Sequence, residues 1–209
     1  MRLSKPFILA SRSPRRNLLL RQIGLEPVIQ SCDVPEDVDP RVSPAQNATL
    51  LAQRKAECVA SRHDHALVLG ADTIVAIDGT MLGKPSDAAD AARMLRTLGG
   101  RTHTVVTGFV LIDRPSGRIL SGAEETRVTF RELPEEEIAE YVAGGSPMDK
   151  AGAYGIQDDY GAVFVTRVEG CYYNVVGLPL ARVYAALKEM DARHGGERTI
   201  DDGIIARRE

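Results

Sequence analysis

Asp72 is the leading candidate for a catalytic residue in this sequence. It follows the apolar run 66–69, which has the length and composition of a buried strand, and a glycine at position 70 lies between the two. A carboxylate where a strand leaves the core can orient or deprotonate water, or bind a metal ion. A solvated acid at a strand end, or one that caps a turn, would give the same pattern.

Two arginines occupy the start of a predicted helix. Residues 7–10 are predicted to be a strand, and Ser13 and Pro14 are a typical N-cap and first residue of the helix that follows. Arg15 and Arg16 lie in its first turn, where free backbone N–H groups favour anions and guanidinium groups match phosphate oxygens. Plain solvation is the alternative, but cations there oppose the helix dipole, which favours an anion nearby.

Two lysines and an acidic loop add charges of both signs. Segment 33–39 holds four acids in seven residues; such a loop is usually solvated, but its oxygens can also help to bind Mg²⁺ or Mn²⁺. Lys55 falls among the apolar positions of the helix predicted from Ser43, so its ammonium group either reaches water or points into a cleft. Lys84, in the tripeptide 83–85, is a candidate phosphate ligand, although the spacing does not match a Walker A loop.

The elements that must position these side chains alternate between strand and helix. Strands are predicted at 7–10, 25–30, 66–77, 102–113, 118–130 and 162–169, with a hairpin turn at 78–79. Helices are predicted from Pro14, from Ser43, from Ser86 as N-cap, from Pro134 and over 178–190, with a turn at 174–177. Segment 149–157 is rich in small residues and lacks periodicity, which predicts a loop whose backbone approaches another element closely.

Composition limits the class of protein. The chain has 209 residues and a net charge of −3, with 44% hydrophobic and 26% charged residues, which is typical of a globular protein and argues against a general nucleic-acid binder. Neither a secretory signal nor a membrane span is recognisable, so we expect a cytoplasmic protein. Cys32, Cys58 and Cys171 are odd in number and widely spaced, which predicts neither a disulfide framework nor a zinc site.

Several long motifs, in this order, closely resemble the Maf family of nucleoside triphosphate pyrophosphatases. They are LASRSPRR at 9–16, QRKA at 53–56, GADTIV at 70–75, GKP at 83–85, DKAGAYGIQ at 149–157 and NVVGLPL at 174–180. The resemblance runs from about residue 7 to residue 187. It implies an α/β fold, with a mixed twisted sheet, flanking helices and two lobes around a deep cleft, often in a homodimer. We therefore expect one domain over 1–193 and a frayed polar tail over 194–209.

The resemblance also implies an activity. Members of the family hydrolyse a nucleoside triphosphate at the α–β phosphate bond with a divalent metal ion, Mg²⁺ or Mn²⁺, a house-cleaning reaction in a family first associated with septum formation. Thr73 after Asp72, and the GIQ segment at 155–157, resemble the branch that acts on dTTP and UTP. A pyrophosphatase of the branch that acts on 7-methyl-GTP, and a nucleotide-binding regulator of cell division without turnover, are the alternatives.

Roles for individual residues follow from the same resemblance. It makes Asp72 the catalytic residue, as base or as metal ligand, and assigns substrate specificity to Arg15, Thr73 and Gln157. It places Arg16, Glu36, Lys55 and Lys84 around the triphosphate and the metal ion, with Glu36 and Asp72 as the metal ligands. Because Pro35 interrupts the acidic turn usual in the family, Asp33 or Asp37 could take the metal-binding role of Glu36.

The charges of these residues suit such a substrate. A triphosphate brings about four negative charges, and hydrolysis at the α-phosphorus needs positive charge near the leaving pyrophosphate. Four cationic side chains and a divalent ion supply it. The Gln157 amide has a donor and an acceptor that could complement N3–H and O4 of uracil or thymine, whereas purines present other edges and more bulk. Beyond the nucleotide, no nucleic-acid or membrane partner is expected.

Overall fold

A computed structural model of the chain describes residues 2–157 and 160–192. Within this part, seven strands form one mixed sheet and helices cover both of its faces, which confirms the predicted α/β class. The predicted polar tail, residues 194–209, and the predicted last residue of the domain, residue 193, lie outside the described residues.

The described elements follow the predicted order. The strands are β1 (Phe7–Ala10), β2 (Val28–Gln30), β3 (Ala66–Ile77), β4 (Thr80–Leu82), β5 (Thr102–Arg114), β6 (Ile119–Phe130) and β7 (Val165–Glu169). The α-helices are α1 (Pro14–Gln22), α2 (Pro44–Ala60), α3 (Ala88–Leu98), α4 (Glu135–Ala143), α5 (Tyr172–Val176) and α6 (Leu180–Ala192). Short 3-10 segments lie at Ser146–Asp149, Ala151–Ala153 and Tyr160–Phe164. Among the described residues, no helix has both the length and the apolar character needed to span a membrane.

Capping explains where the helices that carry the candidate cations begin. The Ser13 hydroxyl accepts a hydrogen bond from the Arg16 amide, and Ser43 and Gln46 form a reciprocal capping box at the start of α2. A proline occupies the first position of both helices, as predicted. The prediction that Ser86 is the N-cap of α3 was wrong. Asp87 is the N-cap, and its side chain accepts a hydrogen bond from the main-chain amide of Asp90.

Several other local predictions also differ from the structure, among them the bounds of α6, which spans Leu180–Ala192 rather than 178–190. β2 begins at Val28 rather than at residue 25, and the residues before Val165 form a 3-10 turn rather than the start of β7. The turn predicted at 174–177 was wrong, since Asn174 lies within α5. The polar side chain of Asn174 is fully buried, so tertiary hydrogen bonds outweigh the turn preference of the local sequence.

The sheet leaves part of one strand edge uncovered. Its order is β2-β1-β3-β5-β6-β7, with β4 also paired to β3. β5 covers one edge of β3 from residue 66 to residue 76, whereas on the other edge β1 pairs only with 67–69 and β4 only with 75–77. Residues 70–74 therefore lack a neighbouring strand on that edge within the described part of the chain, and Asp72 lies in the middle of this gap.

Two glycines let α2 approach the sheet closely. A Cβ atom on Gly70 would lie 2.2 Å from the main-chain oxygen of Ala52, and one on Gly108 would lie 2.4 Å from the main-chain nitrogen of Thr49. Real Cβ atoms do not tolerate such contacts, so the absence of side chains at both positions sets the distance between helix and sheet. Lys55 is carried by the same face of α2 and comes to lie over β3.

The fold also pairs two of the cysteines. Cys32, which follows β2, and Cys58, in α2, form a disulfide with their Cα atoms 6.1 Å apart, within the usual range. The prediction of no disulfide was therefore wrong. Because the two lie 26 positions apart along the chain, their spacing carried no local signal. Cys171 is a free thiol.

Candidate active site

All eight residues proposed from the sequence line one cavity. It has a volume of about 800 Å³ and lies along the uncovered edge of β3. The eight are Arg15, Arg16, Glu36, Lys55, Asp72, Thr73, Lys84 and Gln157. They come from elements scattered over more than 140 positions of the sequence, and the fold brings them together; their individual roles stay predictions.

Lys55 joins the two candidate metal ligands. Its ammonium nitrogen lies 2.5 Å from Glu36 Oε1 and 2.6 Å from Asp72 Oδ1. Lys84 lies farther away, 3.8 Å from Glu36 Oε2, with more than half of its side chain exposed. Of the two positions left open for Lys55, the one facing a cleft is therefore correct, and the carboxylates of Glu36 and Asp72 converge on a single cationic group.

The position of Asp72 after an apolar run predicted that it lies where a strand ends. That prediction was wrong. Asp72 lies inside the continuous strand β3, and its side chain is 15% exposed. The side chain reaches the cavity because β3 has no neighbouring strand there on one edge. Gly70 likewise serves the close approach of α2 rather than a turn into a cleft.

The surrounding cations keep Glu36 ionised. Partial burial raises the pKa of Glu36, but its hydrogen bond with Lys55 and the positive charges of Lys55, Lys84 and Arg16 outweigh burial, so the pKa lies below its usual value. The acid at position 36 thus remains a carboxylate at neutral pH. Asp33, one alternative for its role, instead binds Arg12 at 2.7 Å and is almost fully exposed.

The pair of carboxylates fits a hard divalent cation. Among the described residues no cluster of three or more His, Cys, Asp or Glu side chains could enclose a metal ion by itself. Mg²⁺, however, is commonly bound through one or two carboxylates together with substrate phosphates and water. Glu36 and Asp72 supply two such groups, and both already bind the positive charge of Lys55.

The two arginines of α1 differ in their surroundings. Arg16 is buried and donates to Gly177 O, Ser11 Oγ and Thr73 Oγ1 at 2.8 to 3.1 Å, so three of its five N–H groups hold the fold together. Burial lowers the pKa of Arg16, an effect that Asp72 opposes, yet a guanidinium group stays charged at neutral pH. It contributes positive charge to the cavity from a fixed position.

Arg15 is held by an acid that the sequence analysis did not single out. Its Nη1 lies 3.1 Å from Asp149 Oδ2, and Lys150 binds Oδ1 of the same carboxylate at 2.9 Å. Burial raises the pKa of Asp149, but Lys150 and Arg15 outweigh it and lower the pKa. Asp149 and Lys150 belong to the DKAGAYGIQ motif, which was the signal that could have pointed to them.

The loop 149–157 approaches β3 as predicted. Gly152 adopts φ = 69°, and a Cβ atom there would lie 3.0 Å from Val75 Cγ2. A side chain at this position would be strained in conformation and crowded against the strand. Gln157 lies exposed at the end of this loop, on the lining of the cavity.

A buried histidine fastens the same loop to the sheet. His103 in β5 is 2% exposed, and its Nε2 lies 2.8 Å from the hydroxyl of Tyr154. Its ring also packs edge-on against Phe130, with the centroids 4.9 Å apart. Burial lowers the pKa of His103 to about 4, because a charged imidazolium would lose its hydration there.

This lowered pKa predicts acid sensitivity. Between pH 6.5 and 4 the unfolded chain binds a proton at position 103 that the folded chain excludes. The contribution of His103 to the free energy of unfolding is therefore fully present above pH 6.5 and is lost as the pH falls. By pH 5 the free energy of unfolding should have lost about 2 kcal/mol through this group. Urea denaturation at pH 8 and pH 5 measures the loss, and His103→Gln should remove it.

His65→Gln, which replaces an exposed imidazole, is the matched control for that experiment. It should keep the acid sensitivity of the unsubstituted protein. An equal loss of stability in the His103→Gln protein and in the unsubstituted protein would show that His103 is not the group responsible.

Comparisons with known proteins agree with the motifs. A family model described as "Maf-like protein" matches residues 6–190. A protein of Pelotomaculum thermopropionicum named dTTP/UTP pyrophosphatase is 49% identical over 185 residues, covering 88% of this chain and 96% of its own. Proteins with the same name from Chlorobium phaeovibrioides and Bacillus cytotoxicus are 47% and 48% identical, covering 88% and 90% of this chain and 97% of their own lengths.

Proposed function

The chain belongs to the Maf-like protein family, and from this membership we propose that it is a nucleoside triphosphate pyrophosphatase. Its substrates are dTTP and UTP, which it hydrolyses to the monophosphate and pyrophosphate; relatives that are 47–49% identical carry the name of that activity. The observation that carries the proposal is the cavity in which four cationic side chains and two carboxylates meet.

The division of charge in this cavity suits attack at the α-phosphorus. Water forms a bond to the α-phosphorus, the bond from that atom to the bridging oxygen breaks, and pyrophosphate leaves with its negative charge. Lys55 and Lys84 supply positive charge for the leaving group, and the fixed guanidinium of Arg16 adds to it. Because Lys55 and Arg16 are held by hydrogen bonds before the reaction, little reorganisation of these two groups is needed at that step.

Asp72 is the residue that acts on the water. Its carboxylate is accessible from the cavity and is oriented by Lys55, so it can hold the water by a hydrogen bond and accept its proton. Glu36 shares Lys55 with it. When Mg²⁺ or Mn²⁺ is bound by Glu36 and Asp72, the ion neutralises phosphate charge and lowers the pKa of bound water.

Selection of the base is assigned to other residues of the same cavity. Arg15, Thr73 and Gln157 line it together with the apolar side chains of Ile156 and Val176. These apolar groups suit a pyrimidine ring, and the NH₂ group of the Gln157 amide can donate to O4 of uracil or thymine. CTP and 7-methyl-GTP present different edges to the same groups.

Product identification tests this function. We expect dTTP or UTP with Mg²⁺ or Mn²⁺ to yield dTMP or UMP and one pyrophosphate, measured by chromatography of the nucleotide and a coupled assay for pyrophosphate. Orthophosphate with a nucleoside diphosphate would contradict the assigned bond. A preference for 7-methyl-GTP in a panel that includes CTP would place the chain in the other branch of the family, and binding without turnover would favour a regulator.

Three further properties are part of the proposal. The chain forms a single domain with two lobes around the cavity. The protein acts in the cytoplasm, where nucleoside triphosphates are present. It assembles as a homodimer, which light scattering in solution would test.

A further inference from the structure

A buried chain of hydrogen bonds fixes the direction of one hydroxyl proton in the cavity. Thr107 in β5 lies opposite Thr73 in β3 and is fully buried. Its Oγ1 is 3.0 Å from the main-chain oxygen of Asn174 and 2.9 Å from Thr73 Oγ1. Since a carbonyl oxygen only accepts, the single Thr107 proton goes to Asn174. The proton between the two hydroxyl groups therefore comes from Thr73.

The Thr73 hydroxyl can therefore form only one kind of hydrogen bond with a ligand. Its proton is given to Thr107, and Arg16 Nη2 donates to it at 3.1 Å. A hydroxyl oxygen has two lone pairs, so one remains after these bonds. Because Thr73 lines the cavity, its oxygen can accept a hydrogen bond from a ligand but cannot donate one.

The surroundings of Thr73 favour the base rather than the phosphates. Successive residues of a strand point to opposite faces, so Thr73 faces away from Asp72 and its cluster with Lys55. A Cβ atom on Gly177 would lie only 3.6 Å from Thr73 Oγ1, and Val176 and Ile156 line the cavity on this side. Arg16 Nε and Nη2 lie 3.8 and 4.0 Å from the same Cβ position, but three N–H groups of Arg16 already donate to protein acceptors. The apolar groups and the free lone pair of Thr73 therefore remain for a flat, weakly polar ring.

We infer that Thr107 is a positioning residue for base selectivity, which acts by making Thr73 an obligate acceptor. Uracil and thymine carry a donor at N3, whereas N3 of cytosine is an acceptor. An obligate acceptor at Thr73 accepts a hydrogen bond from N3–H of uracil or thymine. With cytosine, the lone pair of Thr73 faces the lone pair of N3 and no hydrogen bond forms. The inference rests on the proposed function and adds the discrimination against CTP.

The test compares kcat/KM for UTP and CTP in Thr107→Val and Thr107→Ser. Valine keeps the shape and removes the hydroxyl; Asn174 O still accepts from the Gly177 amide at 3.0 Å, so it is not left unpaired. The Thr73 proton is then free to turn into the cavity and donate to N3 of cytosine. The kcat/KM for UTP divided by that for CTP should fall about tenfold in Thr107→Val, which corresponds to the loss of one hydrogen bond. Thr107→Ser should keep the original value of this ratio.

A double-mutant cycle separates this effect from a structural one. In a Thr73→Val background, Thr107→Val should leave the UTP to CTP ratio unchanged, because the group through which it acts is gone. An unchanged ratio in the single variant, or an equal change in both backgrounds, would overturn the inference.

Two measurements on the unsubstituted protein keep the inference testable if Thr107→Val does not fold. 3-Methyluridine triphosphate lacks N3–H and should be at least about tenfold poorer than UTP; equal efficiency would overturn the inference. If UTP releases no pyrophosphate at all, the proposed function fails and the inference fails with it. If UTP is hydrolysed but the kcat/KM ratios of UTP to CTP and to 3-methyluridine triphosphate do not behave as expected, the inference alone fails.

Discussion

Asp72→Asn is expected to lower kcat for dTTP and UTP by about 10²- to 10⁴-fold, the usual contribution of a positioned acid or base. The amide keeps the shape of the carboxylate but cannot accept a proton, and it binds a divalent cation more weakly. Binding of the nucleotide should persist, because the cationic groups of Arg15, Arg16 and Lys84 are untouched. Steady-state release of pyrophosphate gives kcat, and equilibrium dialysis with labelled UTP gives the affinity.

The folded state should tolerate this substitution. Asp72 is partly exposed and its partner Lys55 keeps the hydrogen bond to Glu36, so no buried charge is left unpaired. We expect the melting temperature to change by only a few degrees. Retained turnover in a folded variant would exclude Asp72 as the catalytic residue.

Asp33→Asn is the matched control, since it removes another carboxylate from the lining of the same cavity. Asp33 is exposed and binds Arg12 rather than Lys55. Turnover should therefore stay within about twofold of the original, as for a surface ion pair. A loss as large as that of Asp72→Asn would transfer the metal-binding role from Glu36 to Asp33.

Gly70→Ala is expected to damage both stability and turnover. The new Cβ atom would lie 2.2 Å from the main-chain oxygen of Ala52 and 2.9 Å from the nitrogen of Ala56, so α2 must move away from the sheet. Overpacking of this kind costs about 1–3 kcal/mol in the free energy of unfolding. Because α2 carries Lys55, a shift of about 1 Å could also lower kcat by up to about 10²-fold.

Gly83→Ala is the comparison for stability. A Cβ atom there would meet no other atom within 4 Å, and its backbone does not require a glycine. The free energy of unfolding should change by no more than about 0.5 kcal/mol. If Gly70→Ala matched Gly83→Ala in urea denaturation and kept its turnover, the close packing of α2 on β3 would not be what positions Lys55.

Much of the fold could be predicted because local signals agree with it. The N-caps Ser13 and Ser43, each followed by a proline, mark the starts of α1 and α2, and the hairpin turn at 78–79 separates β3 from β4. Predictions failed where tertiary contacts decide. Asn174 forms helix α5 because its side chain bonds to β5 and β6, and Cys32 meets Cys58 because β2 leads back toward α2.

The sequence by itself determined the chemistry available to this protein: two arginines at a helix start, two lysines, two separate acids, and motifs of the Maf-like family. Residue types and short spacings suffice for that, because propensity and charge are local properties. Only the tertiary structure decided that Lys55 joins Glu36 to Asp72, that Arg16 is held by the fold, and that Thr107 directs the Thr73 proton. These depend on distances between segments far apart in the chain, which strand pairing and close helix packing set and no local pattern encodes.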